Sequence, residues 1–110
     1  MILNNLTMDL KVLEQQIIDT LKTVYDPEIP VDVYELGLIY EINITLEGHV
    51  HLVMTLTSPN CPAAESMPSE IESKVKALQN VMSFELELTF EPTWHQDLMS
   101  DEAKLELGFL

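Results

Sequence analysis

Three stretches of this chain alternate apolar and polar residues with a period of two, and nothing else in the sequence restricts the fold as tightly. In the first, Tyr40, Ile42, Ile44 and Leu46 share one face, and Glu41, Asn43, Thr45 and Glu47 share the other. After Gly48, the residues Val50, Leu52, Met54 and Leu56 lie opposite His49, His51, Val53, Thr55 and Thr57. In the third, Met82, Phe84, Leu86, Leu88 and Phe90 point one way, and Ser83, Glu85, Glu87, Thr89 and Glu91 point the other. Period two means strands, each with one buried face. A loop of Glu47, Gly48 and His49 sets Leu46 against Val50, Ile44 against Leu52 and Ile42 against Met54, so that every facing pair agrees.

Helices with one apolar stripe supply the missing cover. Over residues 8–24, Leu10, Leu13, Ile17, Leu21 and Val24 recur in steps of three and four, the pattern of one helix face. Thr7 or Asp9 is placed to cap its start, and Asp26-Pro27 stops it. A second helix is predicted over residues 62–79, with Ala64, Met67, Ile71, Val75 and Leu78 on its stripe. Pro68 inside it predicts a kink or break near Met67. Between helix and first strand, Asp32 and Glu35 stand three apart, as in a capping box around a single turn, and Gly37 stands where a C′ glycine belongs. Near the end, Ser100 caps a short helix to Leu107, with Gly108 after it. The fold predicted is α+β: a two-layer α-β-β-α-β domain with a three-stranded sheet, helices on one face and a short C-terminal helical tail. A length of 110 residues means a single domain, with its core over about 8–92 and the tail over 93–110.

Charge then narrows the function. The chain has 19 acidic residues against 5 basic ones, all lysine, for a net charge of -14. Such a chain is repelled by nucleic acid and by anionic membranes, and it has no arginine for bidentate phosphate clamps. Glu41, Glu47, Glu85, Glu87 and Glu91 fall on the outer sheet face, where solvation accounts for them. Asp26, Glu28, Asp32 and Glu35 form a separate acidic group before the first strand. The single cysteine permits no intramolecular disulfide, which fits a reducing, cytoplasmic setting. The first five residues carry no basic start of a signal peptide.

Cys61, between Asn60 and Pro62, is the first chemical candidate. Proline favours the first helical position, which would make Cys61 the N-cap of the second helix. Unpaired amides and the helix dipole there stabilise a thiolate, the form that attacks carbon or binds metal. The bland alternative is an inert buried thiol. Nucleophilic catalysis needs a base, but His49 lies in the hairpin loop, His51 on the wet face and His95 in the unplaced tail. One cysteine cannot complete an iron–sulfur or closed zinc site, so a metal on Cys61 would draw other ligands from a second chain, a partner or carboxylates. Asp26-Pro27-Glu28-Ile29-Pro30 is the second candidate: two carboxylates flank a rigid proline, either as a site wall or simply as a solvated turn. Trp94 plugs the open end of the core or covers a pocket.

Taken together, Tyr25-Asp26-Pro27-Glu28-Ile29-Pro30-Val31-Asp32-Val33, Glu35-Leu36-Gly37-Leu38-Ile39-Tyr40 and Thr55-Leu56-Thr57-Ser58-Pro59-Asn60-Cys61-Pro62 resemble the small iron–sulfur assembly family that includes SufT and the PaaD-like subunits of phenylacetate metabolism. The resemblance covers residues 8–92, and the ending around Met99 to Gly108 looks like that of stand-alone SufT-like members. It implies a non-enzymatic auxiliary role in maturing or delivering iron–sulfur clusters, alongside assembly machinery and client apoproteins. By position, Cys61 matches the family's cluster or metal contact, Asp26, Pro27 and Glu28 its acidic loop, and Gly37 and Thr57 its framework. PaaD-like proteins carry a further cysteine-rich C-terminal segment, and this chain has no cysteine after Cys61, which favours the stand-alone branch. The expectation is transient holding of a cluster or iron, with Cys61 as the thiolate contact and Asp26 and Glu28 beside it. A homodimer would bring two Cys61 thiols together. The rivals are a metal-independent adaptor and a non-catalytic subunit of a multi-subunit oxygenase.

Overall fold

The computed structural model describes residues 2–27, 29–58 and 65–109, with side chains from residue 10 onward within these ranges. Helix α1 spans Ile2–Leu21. Strands β1 (Ile39–Ile44) and β2 (His49–Met54) follow, then α2 (Ser66–Lys76), β3 (Ser83–Leu88), a 3-10 turn at Gln96–Leu98 and α3 (Asp101–Glu106). Because α1 begins at Ile2, Thr7 and Asp9 lie inside it and neither caps it. Its stripe behaves as expected: Leu13, Ile17, Leu21 and Val24 are buried in the main core with Ile71 and Val75 of α2.

The sheet order is β1-β2-β3. β1 and β2 form an antiparallel hairpin, and β3 lies parallel to β2 after the α2 crossover. The hairpin faces are as predicted, but the register is shifted by two residues. Ile44 faces Val50 and Ile42 faces Leu52, so the loop is Leu46-Glu47-Gly48 rather than Glu47-Gly48-His49. The reason is Gly48, whose φ of 91° suits the last position of a three-residue loop, after a turn in which its N–H donates to the Thr45 carbonyl at 3.0 Å. Leu46 is therefore left 60% exposed at the tip, and Glu47 belongs to the loop, not the sheet face. A bulge between Ile39 and Glu41 makes a second correction. Ile39 packs against the core, while the Tyr40 hydroxyl donates to the Pro92 carbonyl at 2.7 Å.

The second helix also starts later than expected. Its N-cap is Glu65, and the cap expected at Cys61 lies outside the described residues. Pro68 is the third residue of α2 and produces no break there: the first-turn amides have no partner within the helix, so a missing N–H costs nothing. On β3, Phe84 is buried and Leu86 partly so, while Met82, Leu88 and Phe90 are exposed. Within the strands the outer face has one dry position, Val53 at 7% exposure, which shares a cleft with Tyr40, Pro92 and Leu98. Three antiparallel or parallel strands under two helices thus confirm the two-layer α+β fold.

Candidate functional site

Residues 24–38 close into a tight loop at the end of the sheet where β1 begins and β2 and β3 finish. The Val33 N–H donates to the Val24 carbonyl at 2.8 Å, the Asp26 N–H to the Val31 carbonyl at 3.2 Å, and Tyr25 bridges Asp32. Inside this loop the Asp26 carboxylate is 5% exposed, and its Oδ1 accepts the Ile29 N–H at 3.0 Å. This is the side-chain turn that aspartate forms beside proline. The Asp32 turn is as predicted: Oδ2 accepts from the Tyr34 and Glu35 N–H groups, each at 3.0 Å, and Gly37 follows at φ 79°. Burial raises the Asp32 carboxyl above its ordinary pKa, and the Glu35 amide bond offsets part of that. Glu35 itself lies 3.7 Å from Lys22 Nζ, which sits over the Tyr34 ring. Leu38 then accepts the Thr55 N–H at 2.8 Å, which ties the loop to the end of β2.

The tail returns to this loop. Trp94 Nε1 donates to the Leu36 carbonyl at 2.8 Å, and the Ser100 N–H donates to the Glu35 carbonyl at 2.8 Å. A Cβ on Gly37 would strike the Leu98 carbonyl oxygen and come within 2.7 Å of its carbon, so only glycine lets the two backbones approach this closely. Met99 and Ala103 are buried in the main core. The predicted Ser100 cap is present, with Oγ accepting the Ala103 N–H at 3.1 Å, and the Phe109 N–H returns to the Lys104 carbonyl at 2.7 Å. Trp94 therefore has the core role, with its indole N–H satisfied by the loop.

Of the predicted contacts, Asp26 is placed in the loop interior, while Cys61 and Glu28 lie outside the described residues. Among the described residues no three His, Cys, Asp or Glu side chains gather as a metal-holding group. The histidines are apart from the loop. His49 bonds Ser83, and His51 lies between Glu87 (3.1 Å) and Asn43 (3.4 Å) on the outer sheet face. His95 Nδ1 accepts the Asp97 N–H at 3.1 Å and caps the 3-10 turn. The docking of the tail on Gly37 was not anticipated. Its signal was the positive-φ glycine four residues after Val33, whose open side invites a second backbone.

The architecture defines the class: a two-layer α+β domain in which an acidic loop, the end of a parallel strand pair and a C-terminal strap meet. Comparison with known proteins then supplies the family. Residues 14–90 match the family described as iron-sulfur cluster assembly protein. The chain is 53% identical over 97 residues to a Porphyromonas gingivalis protein named Fe-S protein maturation auxiliary factor, covering 88% of this chain and 92% of that one. It is 34% identical over 85 residues to the Staphylococcus aureus Fe-S protein maturation auxiliary factor SufT, covering 77% of this chain and 97% of that one. The crystal structure of a domain of unknown function, DUF59, from Bacillus anthracis superposes with a TM-score of 0.84 at 30% identity, covering 91% of this chain and 95% of that one. The chain belongs to the iron-sulfur cluster assembly protein family.

Proposed function

We propose that this protein is a non-catalytic auxiliary factor that helps assemble iron–sulfur clusters or pass them to client apoproteins in the cytoplasm. The observation that carries this reading is the family match over residues 14–90, joined to a relative named for Fe-S protein maturation at 53% identity. No helix among the described residues is long and apolar enough to cross a membrane. Cys61 is the only thiol of the chain, and it lies in the connection that leaves β2 at the end of the sheet occupied by the Asp26 loop. A lone thiolate holds a cluster or iron as cargo, not as a resident group, because the remaining ligands come from the donor, the client or the Cys61 of a second copy. Exchange is fast when few bonds must break. Glu28 stands in the same loop as a second, hard ligand for iron. Asp26 acts by position: its Oδ1 already holds the Ile29 amide.

One specific observation favours a second reading, a metal-independent adaptor: Asp26 is buried in the loop, with its Oδ1 on the Ile29 N–H. Complementation separates the two. In cells lacking the factor, activity of iron–sulfur clients should be restored by the wild type and lost with Cys61→Ser. Asp26→Asn, which keeps the acceptor oxygen, should retain most activity, whereas Asp26→Ala should lose it. Full rescue by Cys61→Ser would establish the adaptor and end the thiolate reading. Equal loss in both Asp26 variants would make Asp26 a ligand through its charge.

A further inference from the structure

Between the acidic loop and the tail runs an open groove of about 340 Å³. Ile29 and Pro30 line it from the loop, and Trp94, Met99, Leu107 and Phe109 line it from the tail. The groove is apolar and incompletely covered: Phe109 is 53% exposed, and in the adjoining helix Leu105 is 66% exposed. The tail that forms one of its walls is acidic. Asp97 adjoins Gln96 in the lining, Glu106 adjoins Leu107, and Asp101 and Glu102 open α3; all four are exposed. Lys104 is the only lysine in this stretch.

We propose that this groove docks a segment of a partner protein that presents bulky apolar side chains flanked by lysine or arginine. Apolar side chains would cover Phe109 and Leu107, and the basic flanks would meet Asp97 and Glu106. Charge selects this occupant over the others. A second copy brings another -14 chain with its own acidic rim, so self-docking sets like charge against like. Anionic lipid and nucleic acid are repelled for the same reason. The groove would act as a docking point whether or not Cys61 touches metal, so the proposal does not rest on the role given above.

Trp94 lines the groove and is the only tryptophan of the chain, so its emission reports occupancy. The probe is a short tryptophan-free peptide with Leu-Phe-Leu between two lysine pairs. It should shift Trp94 emission saturably. Affinity should fall roughly tenfold or more with Phe109→Ser, with the pair Asp97→Lys and Glu106→Lys, and on raising salt from about 0.05 to 0.5 M. Peptides with glutamate flanks or a serine core should bind at least about tenfold more weakly. These substitutions fall on exposed side chains, and circular dichroism checks the fold; if Phe109→Ser unfolds, the charge-reversed pair decides. Absence of a saturable shift, equal binding of the glutamate-flanked peptide, or indifference to the variants overturns the proposal. So does a wild-type dimer in sedimentation that Phe109→Ser dissolves, because the occupant is then a second copy.

Discussion

Gly37→Ala probes how the tail is held to the loop. Two costs are separable. An alanine at φ 79° carries backbone strain of about 1 kcal/mol. The new Cβ also meets the carbonyl group of Leu98, a backbone obstacle that no rotamer change removes, so the tail must lift. Lifting breaks the bonds from Trp94 to Leu36 and from Ser100 to Glu35, both 2.8 Å, each worth about 1 kcal/mol net. It also exposes Met99, now 5% exposed, at about 1.5–3 kcal/mol. Full release therefore costs about 4–6 kcal/mol, against about 1 kcal/mol for strain alone. Urea unfolding gives the total, and the native-state emission of Trp94 should move to the red as the indole enters water. A double-mutant cycle with Trp94→Phe makes the test sharper. Trp94→Phe alone should cost about 1–2 kcal/mol, because it leaves the Leu36 carbonyl without its donor. In the Gly37→Ala background it should cost almost nothing, because that bond is already gone. Additive losses with unchanged emission would mean that the tail stays docked and that the close approach at Gly37 does not hold it.

Two further substitutions test the loop and its neighbours. Lys74 Nζ on α2 reaches the Thr23 carbonyl (3.3 Å) and Oγ1 (3.2 Å) just past the end of α1, so Lys74→Met should cost about 0.5–1 kcal/mol in low-salt urea unfolding and less in high salt; a loss that does not respond to salt would show that packing, not charge, is at work. Asp32→Ala should cost about 1–2 kcal/mol by uncapping the Tyr34 and Glu35 amides, whereas Asp32→Asn keeps an acceptor and removes the charge. Because burial raises the folded pKa above the ordinary 3.8, the folded state takes up the Asp32 proton first as pH falls. The contribution of this group is thus most favourable below 3.8 and is lost as pH rises through the folded value. Stability of the wild type relative to Asp32→Asn should rise on acidification, and a slope of the opposite sign would refute the buried-carboxyl account.

Local chemistry was legible in the sequence wherever neighbours in the chain decide the outcome. The stripe of Leu13, Ile17, Leu21 and Val24, the Asp32 turn with its glycine, and the Ser100 cap all follow from spacing. The misplacements share another cause, a choice between two signals of the same kind. Gly48 admits two three-residue loops that keep every face, and only its left-handed backbone selects the one ending at Gly48. Pro62 reads as a helix-start proline and Pro68 as an interior breaker, yet α2 begins at Ser66, which puts Pro68 in the first turn. Tyr40 reads as inward until the bulge hands its place to Ile39. Contacts between distant segments left no periodic trace: nothing near Trp94 announces Leu36, and nothing in the spacing orders β3 beside β2. The candidate site was legible as a set of residue types, but the burial of Asp26 was not, because an acid after a helix reads equally well as solvated.

That burial bears on how the acidic loop works. Asp26 is 5% exposed and its Oδ1 holds the Ile29 amide, and releasing that amide would loosen the turn that carries Pro27 and Pro30. Its present role is to set the course of the loop. The same loop is fixed from outside at Thr55 through Leu38 and at the tail through Leu36 and Glu35. Two separate stretches of sequence thus converge on one short segment, and each of their three hydrogen bonds is accepted by a backbone carbonyl of the loop. Anchors of that kind constrain path without constraining residue type, whereas Asp26, Asp32 and Gly37 hold the loop by what they are. The family match ends at residue 90, before Trp94 and Ser100. The tail thus holds the loop from beyond the matched residues and, through Phe109 and Leu107, adds an apolar surface that residues 14–90 alone do not contain.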